Sequence, residues 1–185
     1  MDPPPNQSDR IANRLALYQQ QISPHSSNPT KAPNTGQSTM AARDPITCHC
    51  LNTLTGTPAA NLPVTLTLLS GSASGTTFRA TTNGDGRVAN WTPVQSDETV
   101  PAILAGLETA DVKTNWSVRF DVGPWYEAQG IESFWPEVEV KFTVKGRGRE
   151  GEEGWRHYHV PVLLGPWNYS TYRGSSIVDM MGVTT

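Results

Sequence analysis

The chain has no long apolar run. Nothing in it approaches the ~20 consecutive apolar positions that a bilayer-crossing helix needs, so no membrane partnership is expected. Its first residues lack a charged start followed by an apolar block, which argues against a secretory signal peptide. The sequons Asn90-Trp91-Thr92, Asn115-Trp116-Ser117 and Asn168-Tyr169-Ser170 therefore read as chance matches. Cysteine is scarce. Cys48 and Cys50 stand two apart in an apparent strand, too few for a disulfide framework and badly placed to bridge each other, and they fit a reducing compartment best. There is no long basic run and the net charge is only −3, which argues against nucleic acid as a partner.

Several enzyme signatures are missing too. Gly71-Ser72-Ala73-Ser74-Gly75 carries Ala where a nucleophile elbow needs Ser. No glycine-rich loop ends in Lys-Ser/Thr and no dinucleotide fingerprint appears, so no cofactor is expected. What remains, at 185 residues, fits one domain and a tail, since domains typically hold roughly 100–150 residues.

Residues 1–43 are rich in Pro, Ser, Asn and Gln and contain neither Trp nor Phe. Such a leader buries too little apolar surface to offset chain entropy, and most of it is expected to be disordered. Ile11, Leu15, Tyr18 and Ile22 nevertheless share one helical face, flanked by Arg10 and Arg14. Arg14-Leu15, five residues, then Gln21-Ile22 looks like a degenerate peroxisomal nonapeptide signal. The expected location is the peroxisome on that motif, and otherwise the cytoplasm.

From Ile46 onward the pattern is β. Val64, Leu66 and Leu68 alternate with threonines; Trp116, Val118, Phe120 and Val122 alternate with Ser117, Arg119 and Asp121. Val138, Val140, Phe142 and Val144 do the same against Glu137, Glu139, Lys141 and Thr143. Period-two alternation means strands with one face on a core and one face wet. Turn signals at Thr55-Gly56-Thr57-Pro58, Asn83-Gly84-Asp85-Gly86 and 146–154 separate them. An all-β antiparallel sandwich follows, with one short helix expected over Pro124–Gln129, Pro at its start and Gly130 at its end.

The same alternation aims the histidines. Cys48 and Cys50 share the face of Ile46, and His49 points the other way. His157 and His159 share a face opposite Tyr158, Val160 and Val162. Three of the four histidines therefore leave the core. Taken singly, a His on a wet strand face is most often a surface residue, and an Arg such as Arg87 after a turn is usually solvated. Zinc would want four ligands at set spacings, and both thiols face away from His49, so no metal site is expected.

A set of segments names a reaction. Thr47-Cys48-His49-Cys50-Leu51-Asn52-Thr53, Gly56-Thr57-Pro58-Ala59 and Thr82-Asn83-Gly84-Asp85-Gly86-Arg87 resemble motifs of the transthyretin-related 5-hydroxyisourate hydrolases. So do Phe134-Trp135-Pro136-Glu137-Val138, His157-Tyr158-His159-Val160-Pro161 and the closing Ser170-Thr171-Tyr172-Arg173-Gly174-Ser175. The resemblance runs in order through residues 44–175, and its closing segment separates the hydrolases from hormone-carrying transthyretins.

That resemblance implies a transthyretin-like (prealbumin-like) fold and a homotetramer with sites in a channel between subunits. It also implies hydrolysis of the cyclic amide of 5-hydroxyisourate in urate (purine) degradation. Carried over by position, the catalytic residues are His49, Arg87 and His159, and Tyr172, Arg173, Gly174 and Ser175 bind substrate. Opening a lactam with water needs a base, for which one of the histidines serves, with His159 favoured. It also needs a donor for the oxyanion, for which Arg87 offers a planar fork.

Three features depart from the family pattern. Asn52 stands where the family has Asp, the extension 176–185 follows the usual end, and 93–114 and 145–156 are long. The competing reading, from another class, is a transthyretin-like carrier of a small aromatic ligand in the same channel. A third, a structural or carbohydrate-binding sandwich using the six tryptophans, competes with plain core or interface packing of those rings.

Overall fold

The alternating segments become ten strands among the described residues: β1 (Ile46–Asn52), β2 (Thr57–Pro58), β3 (Pro63–Leu68), β4 (Thr77–Thr81), β5 (Arg87–Val88), β6 (Thr92–Pro93), β7 (Lys113–Phe120), β8 (Val138–Lys145), β9 (Tyr158–Leu164) and β10 (Tyr169–Thr171). The structure, a computed structural model, describes residues 43–109, 111–146 and 156–174, all within the compact unit Ala41–Thr185. Residues 1–42 with the Arg14–Ile22 motif, 147–155 of the long loop, Ser175 and the extension 176–185 lie outside the described residues.

Two sheets form. One runs β10-β9-β1-β2, with β5 also paired to β1; the other runs β6-β4-β3-β7-β8. The alternation holds where it was expected: Val64, Leu66, Leu68, Trp116, Val118 and Phe120 are all at most 2% exposed. Removing such side chains from water stabilises by about 1.5–3 kcal/mol apiece. β8 is an edge strand, and its alternation is looser. Val138 and Val144 are buried, while Val140 and Phe142 are only half-buried beside a cleft.

Two local details differ from the sequence expectation. There are two short helices among the described residues, not one. The expected helix lies two residues earlier, as α2 (Val122–Glu127), with Asp121 at its cap and Pro124 at its third position. A further helix, α1 (Val100–Ala105), occupies part of the long 93–114 segment. The Thr99 hydroxyl caps α1 by accepting from the Ala102 amide at 3.3 Å, and Val100, Ile103 and Leu104 bury its apolar side. That segment is therefore in part a piece of the core.

The second detail is one parallel ladder in an otherwise antiparallel sandwich. β1 and β9 run parallel, from Ile46 opposite Tyr158 to Asn52 opposite Leu164. Parallel neighbours need a long crossover, and the strands of the other sheet supply it. β1 is thus the middle strand of its sheet, with β9 on one side and β5 and β2 on the other.

Candidate active site

The outward face of β1 carries Thr47 and His49, two residues apart and therefore on the same side of the pleat. Register decides what they meet. Arg87 on β5 stands opposite His49, and His159 on β9 stands opposite Thr47. His157 follows on the same face of the chain as His159, its ring centroid 6.2 Å away, and the His49 ring lies 6.4 Å from His159 on the other side.

Arg87 is placed by its turn. The Asn83 side-chain oxygen accepts from the amides of Asp85 at 3.0 Å and Arg87 at 2.9 Å. The Asn83 amide donates to the Arg87 carbonyl, and the Gly86 amide donates back to the Asn83 carbonyl, each at 2.9 Å. Gly86 closes the turn with φ +72°, and a Cβ there would collide with the Cys50 carbonyl oxygen. That position tolerates only glycine.

Thr47 links the two later histidines. Its hydroxyl oxygen lies 3.0 Å from His157 Nε2 and 2.8 Å from His159 Nδ1. On the other side of His159 the chain returns after β10, and the Gly174 amide donates to the His159 carbonyl at 3.1 Å. A pocket of about 480 Å³ opens over this face, lined by Arg43, Thr47, Arg87, His157, His159 and Tyr172 among others.

The electrostatics are one-sided. Burial, then the Arg87 guanidinium, His157, His49 and Arg43, lower the His159 pKa to about 4. Burial and Arg87 also lower His49, against an opposing pull from Asp85. Both rings are therefore neutral at pH 7, with His159 displaced well away from the neutral titration that a histidine base first suggests. The thiols offer nothing to this chemistry. Cys48 and Cys50 are free and face the core, and burial pushes Cys48 up to about 12 and Cys50 higher still. Among the described residues no group of three or more His, Cys, Asp or Glu could hold a metal ion.

Of the residues expected from the sequence, His49, Arg87, His159, Tyr172 and Gly174 come together around this face. Arg173 does not. Its guanidinium lies 6.0 Å over the Tyr158 ring, beside a second cleft of about 650 Å³ between β8 and β9, which Val140, Phe142, Tyr172 and His159 also line. Ser175 lies outside the described residues. Sequence reasoning gave no role to Thr47 or His157. Both lie on the correct face by alternation, His157 beside His159 on the same chain, but only the β1–β9 register brings Thr47 to the two rings. Four of the six tryptophans behave as packing residues: Trp91 and Trp116 are buried, and Trp125 and Trp135 pack partly buried against the core, whereas Trp167 is exposed and Trp155 lies outside the described residues.

Comparison with known proteins bears on the family and the fold. A "Probable 5-hydroxyisourate hydrolase" of Schizosaccharomyces pombe is 36% identical over 134 residues, covering 70% of this chain and 90% of that protein. A "5-hydroxyisourate hydrolase" of Ralstonia nicotianae is 35% identical over 134 residues, covering 70% of this chain and 97% of that protein. The crystal structure of transthyretin from Sparus aurata shares the fold with TM-score 0.53 at 21% identity, covering 70% of this chain and 96% of that one. Residues 46–174 match the profile of the HIUase/Transthyretin family, and the chain belongs to that family.

Proposed function

We propose that this chain hydrolyses the cyclic amide of 5-hydroxyisourate, giving 2-oxo-4-hydroxy-4-carboxy-5-ureidoimidazoline. The observation that carries the reading is the meeting of His49, Arg87 and His159 on one outward sheet face beneath the returning Tyr172–Gly174 segment. In transthyretin-related carriers and hydrolases alike the fold supplies a scaffold, and the chemistry resides in such a cluster.

His159 takes a proton from water through Nε2, since Nδ1 is engaged with Thr47. The hydroxide formed attacks the lactam carbonyl. The oxyanion develops beside Arg87, whose guanidinium donates two parallel hydrogen bonds. The negative charge cancels part of the positive field that depresses His159, so the imidazole becomes a better base as the proton moves. Collapse breaks the C–N bond, and the nitrogen receives the proton held by the His159 imidazolium, which returns to neutral, while neutral His49 donates a hydrogen bond to a substrate oxygen or nitrogen. Tyr172, with Gly174 against His159, borders the substrate pocket.

The working form is proposed to be a homotetramer. Phe134 is 68% exposed, Trp167 65% and Tyr172 61%, and large exposed aromatics of this kind suit a subunit interface. Peroxisomal residence rests on the Arg14–Ile22 motif and on the place of the reaction in urate degradation.

The test generates 5-hydroxyisourate in place from urate with urate oxidase and follows its decay with and without the protein. Accelerated decay is expected, and it disappears in His159→Asn and Arg87→Ala. Decay at the spontaneous rate with a folded tetramer would turn the reading toward a carrier. Light scattering gives the assembly state, and microscopy of the full chain with and without residues 14–22 gives the location.

A further inference from the structure

We propose that Thr47 and His157 are positioning residues that hold His159 in the tautomer a water-activating base needs, through a hydroxyl shared between two imidazoles. The inference rests on the hydrolase reading. Its geometric basis is independent of it.

A threonine hydroxyl has one proton to give, while its oxygen can accept others. Thr47 Oγ1 is within hydrogen-bond distance of His159 Nδ1 at 2.8 Å and of His157 Nε2 at 3.0 Å. Between two neutral rings it donates to one and accepts from the other, which links the two tautomers. If His159 carries its proton on Nδ1, it donates to Thr47, Thr47 donates to a bare His157 Nε2, and His157 carries its proton on Nδ1. If the polarity is reversed, both rings carry the proton on Nε2. Mixed tautomers leave either two ring acceptors competing for one proton, or two ring donors with the Thr47 proton turned away from both rings.

Water activation selects the first arrangement. The base must present a lone pair at Nε2, so Nδ1 must hold the proton. An isolated imidazole prefers the proton on Nε2, the wrong nitrogen for this purpose, and something must reverse that preference. In hydrolase triads a carboxylate does so by accepting from Nδ1. At this site the groups facing His159 are His157 and His49 from the same sheet, Arg87 from β5 and Arg43 ahead of β1. A hydroxyl backed by a second imidazole accepts from Nδ1 in their midst. When His159 becomes an imidazolium its Nδ1–H bond to Thr47 strengthens, and the Thr47 hydroxyl leans further on His157.

The position of the pair supports a fixed geometry. Thr47 is 6% exposed and His157 is 8% exposed although both stand on the outward face. Thr47 is directly opposite His159 in the β1–β9 ladder, so backbone pairing sets the distance between the two side chains.

The experiment labels the full chain with nitrogen-15 histidine and reads tautomers by long-range proton–nitrogen correlation at pH 7.5. His157→Gln and His49→Gln assign the signals. His157 and His159 are both expected as Nδ1–H in the unmodified protein. Thr47→Val is expected to move His159 toward Nε2–H and lower kcat at least tenfold while KM changes less than twofold. Thr47→Ser restores both. His157→Leu is expected to follow Thr47→Val in kcat, and His157→Gln, which keeps an acceptor, to lie within threefold of the parent.

His159 found as Nε2–H in the parent overturns the proposal. So does a Thr47→Val protein that keeps Nδ1–H and full kcat. Paired Nδ1–H tautomers without turnover of 5-hydroxyisourate would support the shared hydroxyl and overturn the hydrolase reading instead. If Thr47→Val does not fold, the parent tautomers and His157→Leu decide the matter.

Discussion

Gly174 rests directly against His159: a methyl group on Gly174 would stand 2.8 Å from the ring Cδ2 and 2.9 Å from the His159 carbonyl oxygen. No real side chain tolerates such approaches without displacement, and both neighbours are held in place, the ring by Thr47 and the carbonyl by the β9 backbone. Gly174→Ala is therefore expected to lower kcat/KM at least tenfold by tilting the ring or lifting the closing segment. Steady-state kinetics beside a thermal melt checks this. The melt should move by only a few degrees, because Gly174 lies beyond β10 and not in a core strand.

The pH dependence follows from the depressed histidines. His159 works in its neutral form, and its pKa lies at about 4 where an ordinary histidine has 6.5. The acid limb of kcat/KM is therefore expected well below pH 6.5, near 4, once spontaneous decay of substrate is subtracted. Stability shows the same origin with a definite sign. Between 6.5 and about 4 the unfolded chain takes up a proton that the folded chain refuses. Stability from this group is complete above pH 6.5 and falls as pH drops toward 4, and urea titrations at pH 7.5, 6 and 5 should show falling midpoints.

Gly86→Ala is expected to cost about 2 kcal/mol or more, because it combines a left-handed backbone with a collision against the Cys50 carbonyl. The Ala59 amide nitrogen at 3.1 Å and Pro58 Cβ at 3.2 Å leave no room for retreat. Since the turn delivers Arg87, activity should fall with stability. Gly84→Ala, two residues earlier with nothing within 4 Å of the new methyl, is the control and should change stability by less than about 0.5 kcal/mol. Denaturant unfolding of the two variants side by side makes the comparison.

Tyr126 offers the opposite separation. Its hydroxyl, fully buried under α2, lies 3.1 Å from both Asn52 Oδ1 and the Leu164 carbonyl, tying the ends of β1 and β9. Tyr126→Phe should cost about 1 kcal/mol through the lost hydrogen bond alone, because Asn52 Oδ1 still accepts from the Leu54 amide and the Leu164 carbonyl from the Thr53 amide. Turnover at 25 °C should remain within twofold. A chemical-denaturation midpoint lowered without loss of kcat is the expected pair of results.

The legible parts of this molecule were those governed by side-chain period. Val64, Leu66 and Leu68 point inward because a strand alternates, and the outward aim of His49 and His159 followed from the same rule. Errors arose where neighbours intervene. Val122 continued the alternation of β7 and read as strand, yet a helix begins there, with Asp121 as its boundary residue. The Thr99-Val100-Pro101 helix start is too short to show a periodic face. His157 was expected on a wet face, but the surrounding site leaves it 8% exposed. Arg173, beyond the last strand and so outside the reach of alternation, lies over Tyr158 beside the cleft that His159 and Tyr172 also line. The site itself needed the pairing of β1 with β9, a long-range register that no local pattern encodes.

That parallel ladder also sets a timetable for the chain as it leaves the ribosome. β1 is made well before β9, with the entire opposing sheet synthesised between them. Until β9 emerges, the middle strand of the catalytic sheet has one flank unpaired, and Thr47 waits without the ring it must hold. Contacts of such sequence separation close slowly and carry a large loop-closure entropy. Any chain interrupted before Tyr158 exposes β1 as an open edge, a template for aggregation, which makes the emergence of β9 the point at which the protein becomes both safe and active.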